Sequence, residues 1–176
     1  MRKVEDYIKS IPDFPKEGII FRDVTSVLES EEGYSLAIDE LNRLMDGEDY
    51  NLIAGTESRG FIFGAPLAYI NKKGFIPVRK KGKLPRETVE ASYDLEYGSA
   101  TIEIHKDAIK PGDRVILVDD LIATGGTIKA AASLIEKLGG EVVKMVFLIE
   151  LPALGGRKLL EAEGYKVESV VQFDGE

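Results

Sequence analysis

A single α/β domain, with a central and largely parallel sheet flanked by helices, is predicted by three observations. Apolar runs of strand length alternate with segments of helical periodicity through most of the chain. Two of those runs pass through short polar or glycine-bearing loops directly into helices, as βα units do. Several runs, such as VILV at 115–118 and VFLI at 146–149, are apolar at successive positions, which suits strands covered on both faces.

The first ten residues carry Val4, Tyr7 and Ile8 at helical spacing, and Pro12 follows, so a short helix ending near Ser10 is expected. Prolines 12 and 15 and Gly18 make the stretch from Ile11 to Leu28 an expected ordered loop. From about Glu32 to Met45, apolar residues recur at three- and four-residue steps on one helical face, and Gly47 marks the exit. NLIAG at 51–55 reads as a buried strand, followed by a polar turn and a helix over about 61–70. FIPVRK at 75–80 is the next strand. The stretch 88–105 contains alternating pieces, most cleanly Ala100, Ile102 and Ile104, and fits a hairpin or flap better than a helix. VILVDD at 115–120 leads through ATGGT to a helix with Ile128, Ala131, Ala132, Ile135 and Leu138 on one face, and strands are expected at 142–150 and 166–173.

Composition bounds the function. A chain of 176 residues with 44% hydrophobic content suits one domain, taken here as 1–176, with a real core. The absence of cysteine excludes disulfides, thiolate nucleophiles and cysteine-ligated metals, and the single histidine, His105, excludes a multi-histidine metal site. His105 ends an alternating strand pattern and is not assigned a catalytic role. No apolar stretch reaches the roughly 18 residues of a membrane span, and the acidic residues of MRKVEDYIKSI stand where a signal peptide carries its apolar core, so a cytoplasmic protein without membrane contact is expected. The net charge of -8 argues against bulk attraction to nucleic acid, yet it conceals a local excess. Lys72, Lys73, Arg79, Lys80, Lys81, Lys83 and Arg86 lie in one acid-free stretch, leaving -15 for the rest of the chain. No aromatic platforms interleave these charges, so they suit a phosphate-rich small molecule better than RNA, and no specific nucleic-acid partner is expected.

The most informative run is VILVDDLIATGGT at 115–127: an apolar strand delivers Asp119 and Asp120, then a small-residue loop opens a helix. Ala123, Thr124, Gly125, Gly126 and Thr127 can approach an anion closely and turn backbone amides and two hydroxyls toward phosphate oxygens. Paired carboxylates would repel phosphate at contact distance, so Asp119 and Asp120 are better used on hydroxyls, or on a metal, at the other end of the same ligand. A sugar phosphate satisfies both halves. The loop is neither a dinucleotide G-x-G-x-x-G motif nor a P-loop.

This thirteen-residue run resembles the phosphoribosyl diphosphate (PRPP) signature of the type I phosphoribosyltransferases. Four further segments, FPKEGIIFRDVTSVL at 14–28, ESRGF at 57–61, RKKGKLP at 79–85 and YDLEYGS at 93–99, resemble the adenine-specific branch of that family in order along the chain. The resemblance implies a type I phosphoribosyltransferase-like fold in which a mobile flap, about 80–102, covers the site. It implies that the loop 123–127 holds the 5-phosphate, that Asp119 and Asp120 face the ribose hydroxyls, and that Glu57, Ser58, Arg59 and Gly60 form the diphosphate loop, with Arg79 and Lys83 as further PRPP contacts. It places Ile20, Phe21, Arg22 and Leu121 around the adenine. The implied reaction joins adenine to PRPP, giving AMP and diphosphate in purine salvage. Arg59 and Lys83 assist the leaving group, and Glu96 handles a proton near the purine, with Tyr97 positioning the flap. Mg²⁺ is implied as a cofactor bound mainly through PRPP, with no dedicated protein metal site, and a homodimer is implied. Two neighbouring readings remain open: transfer to another purine base, and non-catalytic PRPP sensing.

Overall fold

The computed structural model describes residues 1–95 and 97–175. It centres on a seven-stranded sheet, whose strands are β3 (Leu52–Thr56), β4 (Gly74–Lys80), β5 (Thr88–Asp94), β6 (Ser99–His105), β7 (Arg114–Ile122), β8 (Glu141–Glu150) and β9 (Val167–Gln172), in the order β5-β6-β4-β3-β7-β8-β9. Pairings β4–β3, β3–β7, β7–β8 and β8–β9 are parallel, while β4–β6 and β5–β6 are antiparallel. The sheet is therefore mixed, with a parallel core and a hairpin added at one edge.

Alternation along the central strands explains why both faces are covered. On β7, Val115 and Leu117 join one buried cluster while Ile116 and Val118 join the other, and on β8 Met145 and Phe147 oppose Val146 and Leu148 in the same way. On the first face lies α4 (Gly126–Lys137), through Ile128, Ala131 and Ile135, with α5 (Gly156–Ala162) beside it through Leu160. On the second face lie α1 (Thr25–Leu28), α2 (Glu31–Leu44) and α3 (Arg59–Asn71), through Val27, Leu41, Phe63 and Leu67. The apolar stripe read from Glu32 to Met45 is the buried face of α2, and Ser30 caps its start by accepting from Gly33 N–H at 3.0 Å.

The N-terminal expectations need correction. Residues 1–10 do not form a helix: a single 3₁₀ turn covers Val4–Tyr7, and Lys9–Pro12 is a strand, β1. The segment read as a loop contains β2 (Ile20–Asp23), paired antiparallel with β1, and then α1. The spacing of Val4 and Ile8 did mark burial, but Pro12 disfavours helical geometry at Ile11, and the ladder to β2 satisfies the extended backbone instead. The helix α5 carries no expectation from the sequence.

The hairpin of β5 and β6 is where the alternating pattern placed it. It continues the sheet through two register pairs, Arg79↔Glu103 and Lys80↔Ile102, and Val89, Ala91 and Tyr93 pack against the α4-side core. Glu103, 4% exposed, accepts from the Gly82 and Leu84 amides at 3.1 and 3.3 Å and from the Thr88 hydroxyl at 3.1 Å, fixing the basic turn that presents Lys83.

Candidate active site

In an open parallel sheet, ligands bind beyond the carboxyl ends of the strands where the order reverses. Here the chain runs from β3 outward to β4, then returns across to β7, so the reversal lies between β3 and β7. Their carboxyl ends deliver the two segments singled out from the sequence: Glu57–Gly60 after β3, and Asp119–Thr127, which takes in the last four residues of β7 and the loop beyond. Helix α3 starts at Arg59 and α4 at Gly126, so two helix N-termini also open toward this edge.

Close approach between the two segments depends on Gly60. A Cβ there would stand 3.1 Å from both Asp119 Oδ1 and Thr56 Oγ1 and 3.2 Å from the Val118 carbonyl oxygen. Arg59 crosses the gap and donates from Nε to Asp120 Oδ2 at 2.5 Å. Its terminal nitrogens have no hydrogen-bond partner among the described residues, and half of its side chain is exposed. The Asp120 hydrogen bond and charge hold the Arg59 guanidinium above its ordinary pKa. Ser58 is exposed at the start of α3, and the Glu57–Ser58 peptide is cis.

Asp119 and Asp120 differ in environment. Asp120 is 5% exposed and carries the Arg59 bond. Asp119 accepts the Asp120 N–H at 2.8 Å through Oδ1. Burial, reinforced by the adjacent Asp120 charge, raises its carboxyl well above the ordinary aspartate range.

Glu57 turns away from the β7 loop. It accepts from the Lys80 amide at 2.6 Å and from Lys83 Nζ at 2.8 Å, with Arg79 Nε at 3.4 Å. Burial alone would raise its pKa, but the Lys83 and Lys80 hydrogen bonds and the Lys83 and Arg79 charges together hold it below the ordinary glutamate value. Its side chain thus anchors the basic segment.

Two small cavities adjoin along this edge. One, of about 130 Å³, is lined by Asp119, Leu121, the loop from Ile122 to Thr127 and the buried Phe147. Tyr93 of the hairpin stands beside this loop, 3.7 Å from where a Gly126 Cβ would lie. The other cavity, of about 70 Å³, is lined by Phe21, Arg22, Asp23, Val24, Thr25, Arg59, Asp120 and Leu121. Leu121 borders both. The Arg22 guanidinium lies 4.3 Å from the centre of the Phe173 ring and donates to Ser10 Oγ, so its charged end belongs to the wall.

Of the residues read from sequence, the structure brings together Arg59, Gly60, Asp119, Asp120, Leu121, the 123–127 loop, Phe21 and Arg22, with Glu57, Arg79 and Lys83 as an adjoining cluster. Ile20 is 39% exposed and lines neither cavity. Tyr97 is 87% exposed at the hairpin tip, and Glu96 lies outside the described residues. Sequence reasoning missed Asp23, Thr25 and Thr56. The Asp-x-Thr spacing of Asp23 and Thr25 was the available signal, and Asp23 Oδ1 accepts from the Thr25 amide at 2.9 Å. Thr56, 3% exposed, places its Oγ1 at the end of β3, close to Gly60 and without a hydrogen-bond partner among the described residues.

The chain matches the family model described as phosphoribosyl transferase domain over residues 30–173. It is 63% identical to an adenine phosphoribosyltransferase of Agathobacter rectalis over 99% of both chains. Among solved structures it is similar to the adenine phosphoribosyltransferase of Thermoanaerobacter pseudethanolicus, with 52% identity and a TM-score of 0.92 over 97% of this chain and 98% of that one. It is also similar to the Saccharomyces cerevisiae adenine phosphoribosyltransferase, solved with D-2,5-dideoxy-2,5-imino-altritol 1,6-bisphosphate and adenine. That likeness has 40% identity and a TM-score of 0.88 over 96% of each chain. A reversal-point site joining a threonine-glycine loop, twin aspartates and an arginine thus coincides with whole-chain similarity, and the chain belongs to the adenine phosphoribosyltransferases of the type I phosphoribosyltransferase family.

Proposed function

We propose that this protein transfers the 5-phosphoribosyl group of PRPP to adenine, forming AMP and releasing diphosphate. One observation carries the assignment: Asp119 lines the threonine-glycine cavity, Asp120 lines the Phe21 cavity and Leu121 lines both. A ligand spanning the two would have phosphate at one end, a flat base at the other and hydroxyls beside the carboxylates between them. A ribose 5-phosphate joined to a purine has that order of groups.

In this reading, Ala123–Thr127 hold the 5-phosphate through backbone amides and the Thr124 and Thr127 hydroxyls, and Asp119 and Asp120 accept from the ribose hydroxyls. The bond from ribose C1 to the diphosphate oxygen breaks, the bond from C1 to adenine N9 forms, and the N9 proton is lost. Positive charge develops on the sugar as the leaving group departs, so the reaction needs no covalent nucleophile. Arg59, through its terminal nitrogens, and Lys83 and Arg79, through exchange of Glu57 for diphosphate, meet the departing charge. Ser58 and Gly60 offer backbone amides to the same group. Phe21 and Leu121 pack the base, with main-chain groups around Arg22 reading its edge. Glu96 receives or holds the purine proton, and the hairpin 80–102 closes over the site to exclude water.

The donor set fits a magnesium ion carried by its substrate. Among the described residues no group of three or more His, Asp or Glu side chains forms a cage, and Asp119 and Asp120 are the hard oxygen donors beside the ribose position. When bound with PRPP, magnesium supplies neutralisation of the leaving diphosphate. We assign the whole chain 1–176 to one domain, since both cores share one sheet, and extend the reading to a cytoplasmic homodimer. No helix among the described residues is long and apolar enough to cross a membrane.

The test is incubation of purified protein with Mg²⁺, PRPP and, separately, adenine, hypoxanthine, guanine and xanthine, following nucleotide and diphosphate together. AMP from adenine is expected in preference to the other products. Turnover of guanine or hypoxanthine without adenine overturns the specificity, and PRPP binding without turnover of any base makes the protein a sensor.

A further inference from the structure

The segment after β8 bears no phosphate-binding pattern, yet it forms the wall behind the threonine-glycine loop. Leu151 N–H donates to the Ile122 carbonyl at 3.0 Å, and Gly156 N–H donates to the Ala123 carbonyl at 3.0 Å. Gly125, at φ +88°, faces Gly156 so closely that a Cβ on Gly125 would stand 3.2 Å from Gly156 Cα. The reverse contact is tighter: a Cβ on Gly156 would fall 2.5 Å from the Ala123 carbonyl oxygen and 2.8 Å from Ile122 Cγ1. Gly156 begins α5, where alanine is ordinarily the better helix former. What demands glycine there is contact with the loop.

The next residue fixes that wall in place. Arg157 donates Nε to Glu150 Oε2 at 3.0 Å, a terminal nitrogen to Glu150 Oε1 at 2.7 Å and the other to the Val167 carbonyl at 2.5 Å. Glu150 is 2% exposed and also accepts from Ser169 Oγ at 2.7 Å and Gln172 Nε2 at 3.3 Å. In the sheet Glu150 sits opposite Ile122, the residue before the loop. The bidentate pair therefore ties the start of α5 to the end of β8, and the Arg157 bond to the Val167 carbonyl ties it to the start of β9; Gly156 transmits that position to Ala123 and Gly125.

We propose that Gly156 and the Arg157–Glu150 pair are positioning residues that set the spacing of the Ala123–Thr127 loop for the 5-phosphate of PRPP. The inference rests on the proposed function for the identity of the ligand. Backbone amides bind an anion well only when they converge on it, and hydrogen bonds weaken steeply with misalignment. A Gly156→Ala change cannot be absorbed by a flexible side chain, because the atom it meets belongs to the loop backbone.

Gly156→Ala should raise the KM for PRPP at least tenfold and leave the KM for adenine within twofold. In the reverse direction the KM for AMP should rise while that for diphosphate holds. Arg157→Lys, which keeps the charge and loses the fork, should move the same constants by a smaller factor. Gly164→Ala is the control: at φ +93°, two residues beyond the far end of the same helix and with no atom of the described residues within 4 Å of an added Cβ, it strains the fold without touching the loop. Titration calorimetry with ribose 5-phosphate separates this inference from the reaction. If the wild type binds it and Gly156→Ala binds it tenfold more weakly, positioning stands even where adenine turnover fails. A Gly156→Ala enzyme with PRPP and ribose 5-phosphate affinities within twofold of wild type overturns it. So does an equal loss of PRPP affinity in Gly164→Ala at matched thermal stability.

Discussion

Replacing Asp119 with asparagine should make the fold more stable at neutral pH while removing activity. Burial and the neighbouring Asp120 charge both disfavour ionisation of Asp119. The asparagine keeps an oxygen for the Asp120 N–H, which Asp119 now accepts at 2.8 Å, so the change removes a repelled charge with little loss of bonding. Relief of that repulsion is worth about 1–2 kcal/mol, or a rise in Tm of roughly 2–8 °C for a domain of this size. The sign with pH follows from the raised pKa. The wild-type carboxyl contributes most favourably below its unfolded pKa, where it is protonated in both states, and that contribution is lost as pH rises through the folded value. The variant's advantage should therefore be largest above the folded pKa of Asp119 and shrink on acidification through it. Thermal denaturation of both proteins at intervals from pH 8 to pH 4, paired with AMP formation at each pH, measures it. A lower Tm for Asp119→Asn at pH 8, or an advantage that grows on acidification, refutes the reasoning.

Asp120→Asn should leave Tm within about 3 °C, since losing the Arg59 charge pair offsets relief from Asp119, yet lower kcat/KM for PRPP about 30-fold, equivalent to one charge-assisted contact of about 2 kcal/mol. Kinetics within threefold of wild type would remove Asp120 from the ribose site. Glu57→Gln should cost about 1 kcal/mol at pH 7, discounted for the exposure of Lys83. Because the folded pKa of Glu57 is lowered, the deficit should hold above the unfolded carboxylate pKa and fade as pH falls through the folded value; melting curves with a pH-independent deficit contradict this. Phe147→Ala, at a side chain 1% exposed that lines the cavity of the threonine-glycine loop, should cost about 3–5 kcal/mol in denaturant unfolding. A cost under 1 kcal/mol would mean that the cavity wall collapses without penalty.

How much of this was legible depends on the distance over which each feature is specified. The β7–loop–α4 unit could be read because strand, carboxylates and glycine loop are contiguous from Val115 to Thr127, and alternation on β7 serves two cores through neighbouring residues. The basic turn was visible as charge, but its attachment to Glu103 and Glu57 joins residues 21 and 26 positions apart, with no local signature. The same limit hid Gly156, whose requirement arises from a carbonyl on Ala123. At the N-terminus the limit was competition: the spacing that places Val4 and Ile8 in the core is compatible with a helix, and pairing of Lys9–Pro12 with Ile20–Asp23 makes the residues after them a strand.

The charge arithmetic gains a different meaning once the partners are known. Arg59, Arg79 and Lys83 would attract a polyanion strongly if unopposed, but Arg59 is bound to Asp120, while Lys83 and Arg79 are bound to Glu57. With Asp119 beside them, three cations face three carboxylates, so formal charge supplies no excess attraction. The asymmetry comes from environment: Asp119 is biased toward its neutral form, whereas Glu57 is biased toward its charged form. In the proposed reaction, discrimination would therefore lie in exchange of partners. A diphosphate offers more acceptor oxygens than Glu57 and can recruit the Arg59 terminal nitrogens without breaking its Nε bond to Asp120, so Arg59 can bridge carboxylate and leaving group at once. That use requires the planar fork of arginine, which a lysine at position 59 would not reproduce.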